Sequence, residues 1–188
     1  MSGSKYNVIY ADPPWFFGAG IPSVTGANYT GTKLEDHYQL MRPKELEEFF
    51  TETVSGLAAD DCVLIMWTTD AHLDLAIRLG ALAGFAYKTV AFVWNKKTPR
   101  GNQVCYMGKW TMKGTEIALL FTKGRAHKLL RARNVRQLVE AERREHSRKP
   151  DEVAERIEQM FPDSPKIELF ARTQRPGWDS HGNEVDKF

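Results

Sequence analysis

The stretch YADPPW, residues 10–15, places Asp12 and Trp15 on either side of two prolines. Proline cannot donate to a sheet ladder and disfavours helical geometry in the residue before it, so the chain leaves a strand here in a fixed, extended turn. The Asp12 carboxylate and the Pro13 carbonyl could accept hydrogen bonds from the exocyclic amino group of a base. Such acceptors stabilise positive charge on the nitrogen as it attacks a methyl donor.

Trp15 closes this motif with a large aromatic ring. The ring could stack on the same base and hold its amino group in line with the methyl group. A purely structural explanation fits the four residues DPPW as well, because an aspartate turn, a proline corner and a core tryptophan need no ligand. The elements around the motif must therefore decide between the two.

Short apolar runs alternate along the chain with amphipathic helical patterns. The runs that predict strands are residues 7–11, 62–67, 87–94, 116–122 and 166–171. The patterns that predict helices are residues 43–57, 71–83 and 150–161. This alternation predicts an α/β fold, a three-layer sandwich with a mostly parallel sheet, as one domain over residues 1–188. Ligands bind beyond the carboxyl ends of the strands in such sheets, which places YADPPW in a pocket.

Two long segments interrupt the alternation, residues 16–37 and 96–114, and we expect both to be loops that face the substrate. Residues 95–138 hold eleven Lys or Arg and one acid, so this part carries +10 and the rest of the chain −8, for a net charge of +2. Trp94, Tyr106 and Trp110 are interleaved with these cations. A phosphate backbone with unstacked bases suits this composition, and a solvated basic face explains it equally well.

The composition argues against several other classes of protein. No apolar run approaches the roughly eighteen residues that a membrane span needs, and the first residues have no signal-peptide core. The five histidines are scattered and the two cysteines lie far apart, so neither a metal site nor a disulfide framework is predicted. A soluble, cytoplasmic protein without a metal is expected.

Four motifs are spread over almost the whole chain: VIYADPPW, HSRKPDE, IELFAR and GWDSHGNEV. In their order and spacing they resemble the adenine amino methyltransferases related to the catalytic subunit of the eukaryotic messenger-RNA adenosine methyltransferase complex, a family with compact bacterial and phage members. The resemblance implies a circularly permuted, Rossmann-like methyltransferase fold, with the catalytic motif N-terminal and most of the cofactor site C-terminal. It also implies S-adenosylmethionine as the cofactor and direct methyl transfer to the N6 amino group of adenine.

The resemblance assigns catalysis to Asp12, Pro13, Pro14 and Trp15, and implies that Asp12 also neighbours the methionine ammonium group of the cofactor. It implies that Lys149 contacts the cofactor carboxylate. Lys149 directly precedes a predicted helix whose N-terminus favours an anion, although a lysine at a solvated helix start is the simpler explanation when taken alone. The other cofactor contacts that the family pattern implies are Phe170, Arg172, Gln174, Gly182, Asn183 and Glu184.

Substrate contacts are expected from the catalytic motif and the long loops. The expected residues are Trp15, Tyr38, Lys96, Lys97, Arg100, Lys109 and Trp110. Residues 114–116 match the active-site loop of the family, where Glu116 would anchor the loop; an edge-strand glutamate with a surface partner is the alternative. Trp67 also matches a family position near the base pocket, but core packing explains it better.

The chain departs from the eukaryotic pattern in two ways. Thr173 and Gln174 stand where a Pro-His pair is usual, and Glu184 stands where Gln is usual, so the ribose contact of Gln174 is an open question. The eukaryotic members also carry further sequence ahead of the first strand and depend on additional modules or a partner subunit. Specificity is therefore expected from this chain's own loops or from a homodimer.

Three functions compete. The first is an adenine methyltransferase on nucleic acid, with DNA favoured over RNA because compactness resembles the bacterial and phage members, and with a bacterial or phage-infected cytoplasm as its place. The second is a non-catalytic, nucleic-acid-binding scaffold, which the retention of Asp12 and Lys149 disfavours. The third is methylation of cytosine or of a protein glutamine, which the aspartate at position 12 disfavours because Ser or Asn is usual there.

Overall fold

The computed structural model describes residues 5–16, 40–108, 110–144 and 148–182. In these ranges the chain forms one seven-stranded sheet. Its strands are β1 (Tyr6–Ala11), β2 (Ala58–Thr68), β3 (Ala86–Lys97), β4 (Thr115–Lys123), β5 (Leu138–Glu142), β6 (Lys166–Leu169) and β7 (Asp179–His181). Their order is β5-β3-β4-β2-β1-β6-β7, and every neighbouring pair is parallel except the two that include β4. The mostly parallel α/β sheet is confirmed.

The described helices follow the predicted patterns closely. Helix α1 (Pro43–Phe49) continues through a π-helical turn (Phe50–Val54) into α2 (Ser55–Leu57), α3 (Leu73–Leu82) follows a 3-10 turn (Asp70–His72), and α4 is Asp151–Met160. The π-helical turn places both Phe50 and Val54 fully in the core. None of these helices combines the length and apolar character that a bilayer crossing requires.

Two hydrophobic clusters lie on opposite faces of the sheet. Strand β1 contributes to both, because alternate residues point to opposite faces: Ile9 and Ala11 belong to one cluster, and Val8 and Tyr10 to the other. The first cluster packs beneath α1, the π-helical turn and α3, and the second beneath α4. A strand that is buried on both faces reads as a continuous apolar run, which is why β1 was predicted correctly. The three-layer arrangement is confirmed.

Two short strands, β5 and β7, were not predicted from the sequence. Strand β5 lies at one edge of the sheet and pairs only with the end of β3, and β7 lies at the other edge and pairs with β6. The residues of β7, DSH, include no strong strand former. Pairing with a neighbour that is already in place, rather than local propensity, therefore creates these two strands.

The carboxyl ends of the parallel strands meet along one edge of the sheet. Asp12 follows β1, Phe170 follows β6 and Gly182 follows β7, and these three strands are neighbours. Because β4 runs antiparallel, it brings its first residues, including Glu116, to the same edge. This edge collects residues that are far apart in sequence, as expected for a site in an α/β sheet. The circular permutation itself stays a prediction.

Candidate active site

The DPPW motif, residues 12–15, forms a tight, hydrogen-bonded turn directly after β1. The Trp15 backbone N–H donates to the Pro13 carbonyl oxygen at 2.9 Å, which closes a three-residue turn around Pro14. The fixed φ of proline suits the centre of such a turn. The Met41 N–H donates to the Pro14 oxygen, also at 2.9 Å. The turn therefore holds Asp12 and the Pro13 carbonyl in a fixed relation to each other.

Lys149 and Asp12 form an ion pair at the carboxyl edge. The Lys149 Nζ lies 2.8 Å from Asp12 Oδ2, across 137 residues of sequence. Lys149 is two residues before α4 begins, so its position at the site depends on how that helix packs on the sheet. The side chains of Lys149 and Asp12 are only 13% and 19% exposed. The structure thus brings together the aspartate that was expected to be catalytic and the lysine that was expected to contact the cofactor.

Glu116 and Lys96 extend this pair into a row of four charged side chains. Glu116 Oε2 lies 3.3 Å from Lys149 Nζ, and Glu116 Oε1 lies 2.5 Å from Lys96 Nζ. Of the two explanations left open for Glu116, the surface partner is therefore wrong, because both partners are largely buried lysines. Acidic and basic groups alternate along the row Lys96–Glu116–Lys149–Asp12, so the formal charges of these four side chains sum to zero.

The two carboxylates of this row, Asp12 and Glu116, have different proton affinities. Burial raises the pKa of Asp12 above its usual range, although the Lys149 ammonium opposes the shift. Burial alone would also raise the pKa of Glu116, but the Lys149 and Lys96 ammonium groups outweigh it and lower that pKa. Burial disfavours charge on Lys149, yet Asp12 and Glu116 raise its pKa overall. Asp12 is therefore the stronger base and Glu116 a firm anion, a separation typical of acid–base sites.

A small cleft opens beside this row of charges, with a cavity volume of about 30 Å³. Phe170 lines it directly after β6 and adopts a left-handed backbone with φ of +59°, which is costly for a bulky residue and is found mostly at functional sites. Next to it, Gly182 lies so near the end of β6 that a Cβ would come within 2.6 Å of the Ala171 oxygen. The lining residues are Tyr10, Asp12, Arg148, Lys149, Asp151, Glu168, Phe170, Arg172, Thr173 and Arg175.

A second group of charged side chains lies in the cleft and was not predicted from the sequence. Arg175 Nε lies 2.8 Å from Glu168 Oε2, and Arg175 Nη1 lies 3.0 Å from Asp151 Oδ1. Asp151, at the start of α4, also pairs with Arg144 at 2.8 Å. Burial raises the pKa of Glu168 despite Arg175. The position of Glu168 between the buried apolar residues Ile167 and Leu169 was the one available signal.

Trp15 is placed differently from its predicted role. Its ring is 5% exposed and belongs to the first hydrophobic cluster, where it stacks on His72 with the ring centroids 5.2 Å apart. A ring enclosed in this way has no open face for a base. We therefore correct the stacking role to a packing role, in which Trp15 anchors the turn from below. Trp67 is 1% exposed, and its Nε1 donates to the Tyr10 hydroxyl at 2.6 Å, so core packing is confirmed.

The basic loop, residues 96–114, is joined to the sheet at several points. Isolated bridges pair Lys97 with Gln103 and Tyr106 with Lys113. Lys97 pairs with Glu140 at 2.7 Å, and Arg100 is exposed near the bend. The exposed apolar side chains of the loop are Tyr106, Met107, Trp110 and Met112, of which Trp110 is 96% exposed. The loop thus presents aromatic and apolar groups to solvent beside cations.

Several expected site residues lie elsewhere. Gln174 lines a second cleft with Asp179 and His181, whereas its neighbour Thr173 lines the cleft beside Lys149. Its ribose contact stays a prediction. Tyr38, Lys109, Asn183 and Glu184 lie outside the described residues. Within the described ranges, no group of three or more His, Cys, Asp or Glu is arranged to hold a metal ion.

Comparison with known proteins gives a consistent result. The model of the MT-A70 family matches residues 6–184. The chain is 42% identical over 191 residues to the type II methyltransferase M.MunI of a Mycoplasma species, covering 96% of this chain and 78% of that protein. It is 28% identical to the human N(6)-adenosine-methyltransferase catalytic subunit METTL3 and 29% identical to the MT-A70-like protein of Drosophila melanogaster. Each of these two alignments covers 97% of this chain, but only 28% and 27% of the longer relatives.

Proposed function

The chain belongs to the MT-A70 family, and from that premise we propose that it transfers a methyl group from S-adenosylmethionine to the N6 amino group of adenine in DNA. The family is made up of methyltransferases, so the chain is an enzyme. Relatives named N(6)-adenosine-methyltransferases support adenine N6 as the accepting atom. The cleft beside Asp12 and Lys149 is where we place the reaction.

The residues of this cleft suit the charges of S-adenosylmethionine. The amino-acid part of the cofactor carries an ammonium and a carboxylate, and Asp12 and Lys149 offer an opposite charge to each. The N-terminus of α4 adds a partial positive charge on the side of the carboxylate. Phe170 and Arg172, which line the same cleft, would hold the nucleoside part. When bound there, the cofactor supplies the methyl group.

The chemistry that remains for the protein is the handling of the adenine amino group. Asp12 and the Pro13 carbonyl accept its hydrogens, which favours tetrahedral geometry at the nitrogen and stabilises the positive charge that develops there. The nitrogen gains the methyl carbon and must lose one proton. Because burial raises the pKa of Asp12, its carboxylate is a stronger proton acceptor than an exposed aspartate and takes that proton.

DNA is proposed as the substrate on two grounds. One relative, which aligns over most of both lengths, is named a type II methyltransferase, and this favours DNA. Residues 96–114 expose Trp110 and include several cations in their sequence, which suits a phosphate backbone and an unstacked base. RNA, the alternative substrate, presents the same two chemical groups.

The single observation that carries this proposal is the 2.8 Å pair of Asp12 and Lys149 at the edge of the sheet where α/β enzymes bind ligands. The test uses methyl-labelled S-adenosylmethionine with matched single- and double-stranded pools of DNA and RNA. We expect label in DNA. Label in RNA alone would overturn the choice of substrate, and no label in any pool with intact cofactor binding would overturn the proposed activity of the isolated chain.

Trp110→Ala is expected to weaken DNA binding. Base–aromatic stacking contributes about 1–3 kcal/mol per base, so the dissociation constant should rise about 5- to 150-fold while kcat at saturating DNA changes little. Fluorescence anisotropy with a labelled oligonucleotide measures the change. The control is Tyr87→Ala, another exposed aromatic residue, which lies on β3 far from the loop. Equal affinity of the Trp110 variant and the wild type would remove the loop tip from the DNA interface.

A further inference from the structure

We infer that Lys96 is an internal positioning residue, which fixes Glu116 so that Glu116 and Asp12 hold the Lys149 ammonium between them. The inference deepens the proposed function and rests on it for the meaning of the site. It replaces the phosphate contact that the basic composition of residues 95–138 predicted for Lys96. The geometry that supports it is independent of the identity of the substrate.

The side chain of Lys96 is directed into the protein. The residue is 7% exposed, and its Nζ lies 2.5 Å from Glu116 Oε1. The same Nζ lies 5.1 Å from the centre of the Trp94 ring and 5.8 Å from that of Tyr106. A lysine that contacts phosphate keeps its ammonium in water and close to the surface. The ammonium of Lys96 instead has a carboxylate and two aromatic rings as its surroundings.

The backbone fixes Lys96 at the base of the basic loop. Its N–H donates to the Gly114 oxygen at 3.0 Å, and its carbonyl accepts from the Val104 N–H at 2.8 Å. A Cβ on Gly114 would come within 2.1 Å of the Val104 oxygen, so this approach requires glycine. The register of β3 and β4 pairs Trp94 with Glu116. Lys96, two residues further on, is then the diagonal neighbour of Glu116 on the same face.

The row of four charges explains how Lys96 can affect the position of Asp12 without contacting it. Glu116 is shared by two ammonium groups, one from Lys96 and one from Lys149. Without Lys96, the buried Glu116 carboxylate keeps a single cation and draws Lys149 away from Asp12, because an unpaired buried charge is costly. A displacement of this kind misplaces the Asp12 carboxylate relative to the amino group that it must hold.

The kinetic test is Lys96→Met. A positioning role predicts that kcat falls about 10- to 100-fold, while the KM for DNA and the salt dependence of DNA binding stay at their wild-type values. The matched control is Lys88→Met, which removes an exposed lysine from the same strand and should leave all three quantities unchanged.

A double-mutant cycle separates this role from a general loss of structure. In a Glu116→Gln background, Lys96→Met should lower kcat by no more than about twofold, because the partner through which it acts is already removed. A full loss of kcat in both backgrounds would overturn the inference. So would an unchanged kcat together with a salt slope reduced by about 1, which is the signature of a lost phosphate contact.

A measurement on the wild type keeps the inference testable if Lys96→Met fails to fold. Amine-reactive labelling followed by mass spectrometry compares Lys96 with Lys88, with and without DNA. We expect Lys96 to react much more slowly than Lys88 in both conditions. Fast labelling that DNA suppresses would overturn the inference and restore the phosphate contact. Since labelling needs no catalysis, this result is independent of whether the proposed activity is correct.

Discussion

Asp12→Asn is expected to lower kcat for methyl transfer about 10³-fold, the size of effect seen when one preorganised polar group is removed from a reacting centre. Asparagine has the same shape as aspartate but cannot take the proton that the amino nitrogen releases. Its amide oxygen carries no net charge, so it stabilises the positive charge that develops on that nitrogen less than a carboxylate does. The measurement is single-turnover methyl transfer at saturating cofactor and DNA.

The effect should be confined to the chemical step. Lys149 and the N-terminus of α4 remain in place for the cofactor carboxylate, so the affinity for S-adenosylmethionine should fall about tenfold at most. Burial of a charged Asp12 opposes folding, as its raised pKa shows, so a neutral residue there should not unfold the protein. The control is Asp163→Asn, which removes an exposed carboxylate that pairs with Arg131. Near-normal turnover of the Asp12 variant would contradict the mechanism.

Lys149→Met is expected to lower the affinity for S-adenosylmethionine about 10- to 100-fold, because a hydrogen bond to a charged group contributes about 1.5–3 kcal/mol. Isothermal titration calorimetry measures this loss directly. The control is Lys128→Met, an exposed lysine beyond the end of β4 that is far from the cleft. Unchanged affinity for the cofactor would remove Lys149 from the cofactor site.

The same variant should also change the pH profile. Lys149 lowers the pKa of Asp12 against the effect of burial, so its loss raises this pKa further. The reaction needs ionised Asp12, and the acidic limb of the kcat profile should therefore move to higher pH in the variant. The charged groups that face Asp12 are Lys149, Glu116, Arg172 and Glu168. An acidic limb that stays in place would contradict the coupling of Asp12 and Lys149.

Circular dichroism can distinguish the titration of Asp12 from unfolding of the protein in acid. Because the folded-state pKa of Asp12 is raised, protonation of Asp12 as the pH falls stabilises the folded chain. Glu116 has the opposite sign: its pKa is lowered, and the stability that it contributes is lost only as the pH falls through that lowered value. Circular dichroism should therefore show a folded protein across the pH range in which activity is first lost.

The layers of the fold and the edge that carries the site could be predicted from the sequence. Buried parallel strands are continuous apolar runs, so β1 and β2 were visible, and the prolines after Asp12 marked the end of β1. The rule that ligands bind at the carboxyl edge then placed Asp12 correctly at a cleft. The edge strands β5 and β7 could not be predicted, because their neighbours rather than their own residues determine them.

The partners of the charged residues could not be predicted from the sequence. Lys96 belongs to a basic run, yet the register of β3 against β4 directs it inward to Glu116. Trp15 has the composition of a stacking residue, yet the ring packs against His72. Arg175 belongs to no motif, and only the fold brings it between Glu168 of β6 and Asp151 of α4. Side-chain direction and long-range pairing decide each of these cases.

The most direct test of the central claim is the identity of the modified nucleoside. DNA treated with the wild type and with the Asp12→Asn variant would be digested to nucleosides and analysed by mass spectrometry. The proposed chemistry predicts N6-methyladenine from the wild type, and almost none from a variant that still binds S-adenosylmethionine. Methylation of cytosine, or equal amounts of N6-methyladenine from both proteins, would contradict it.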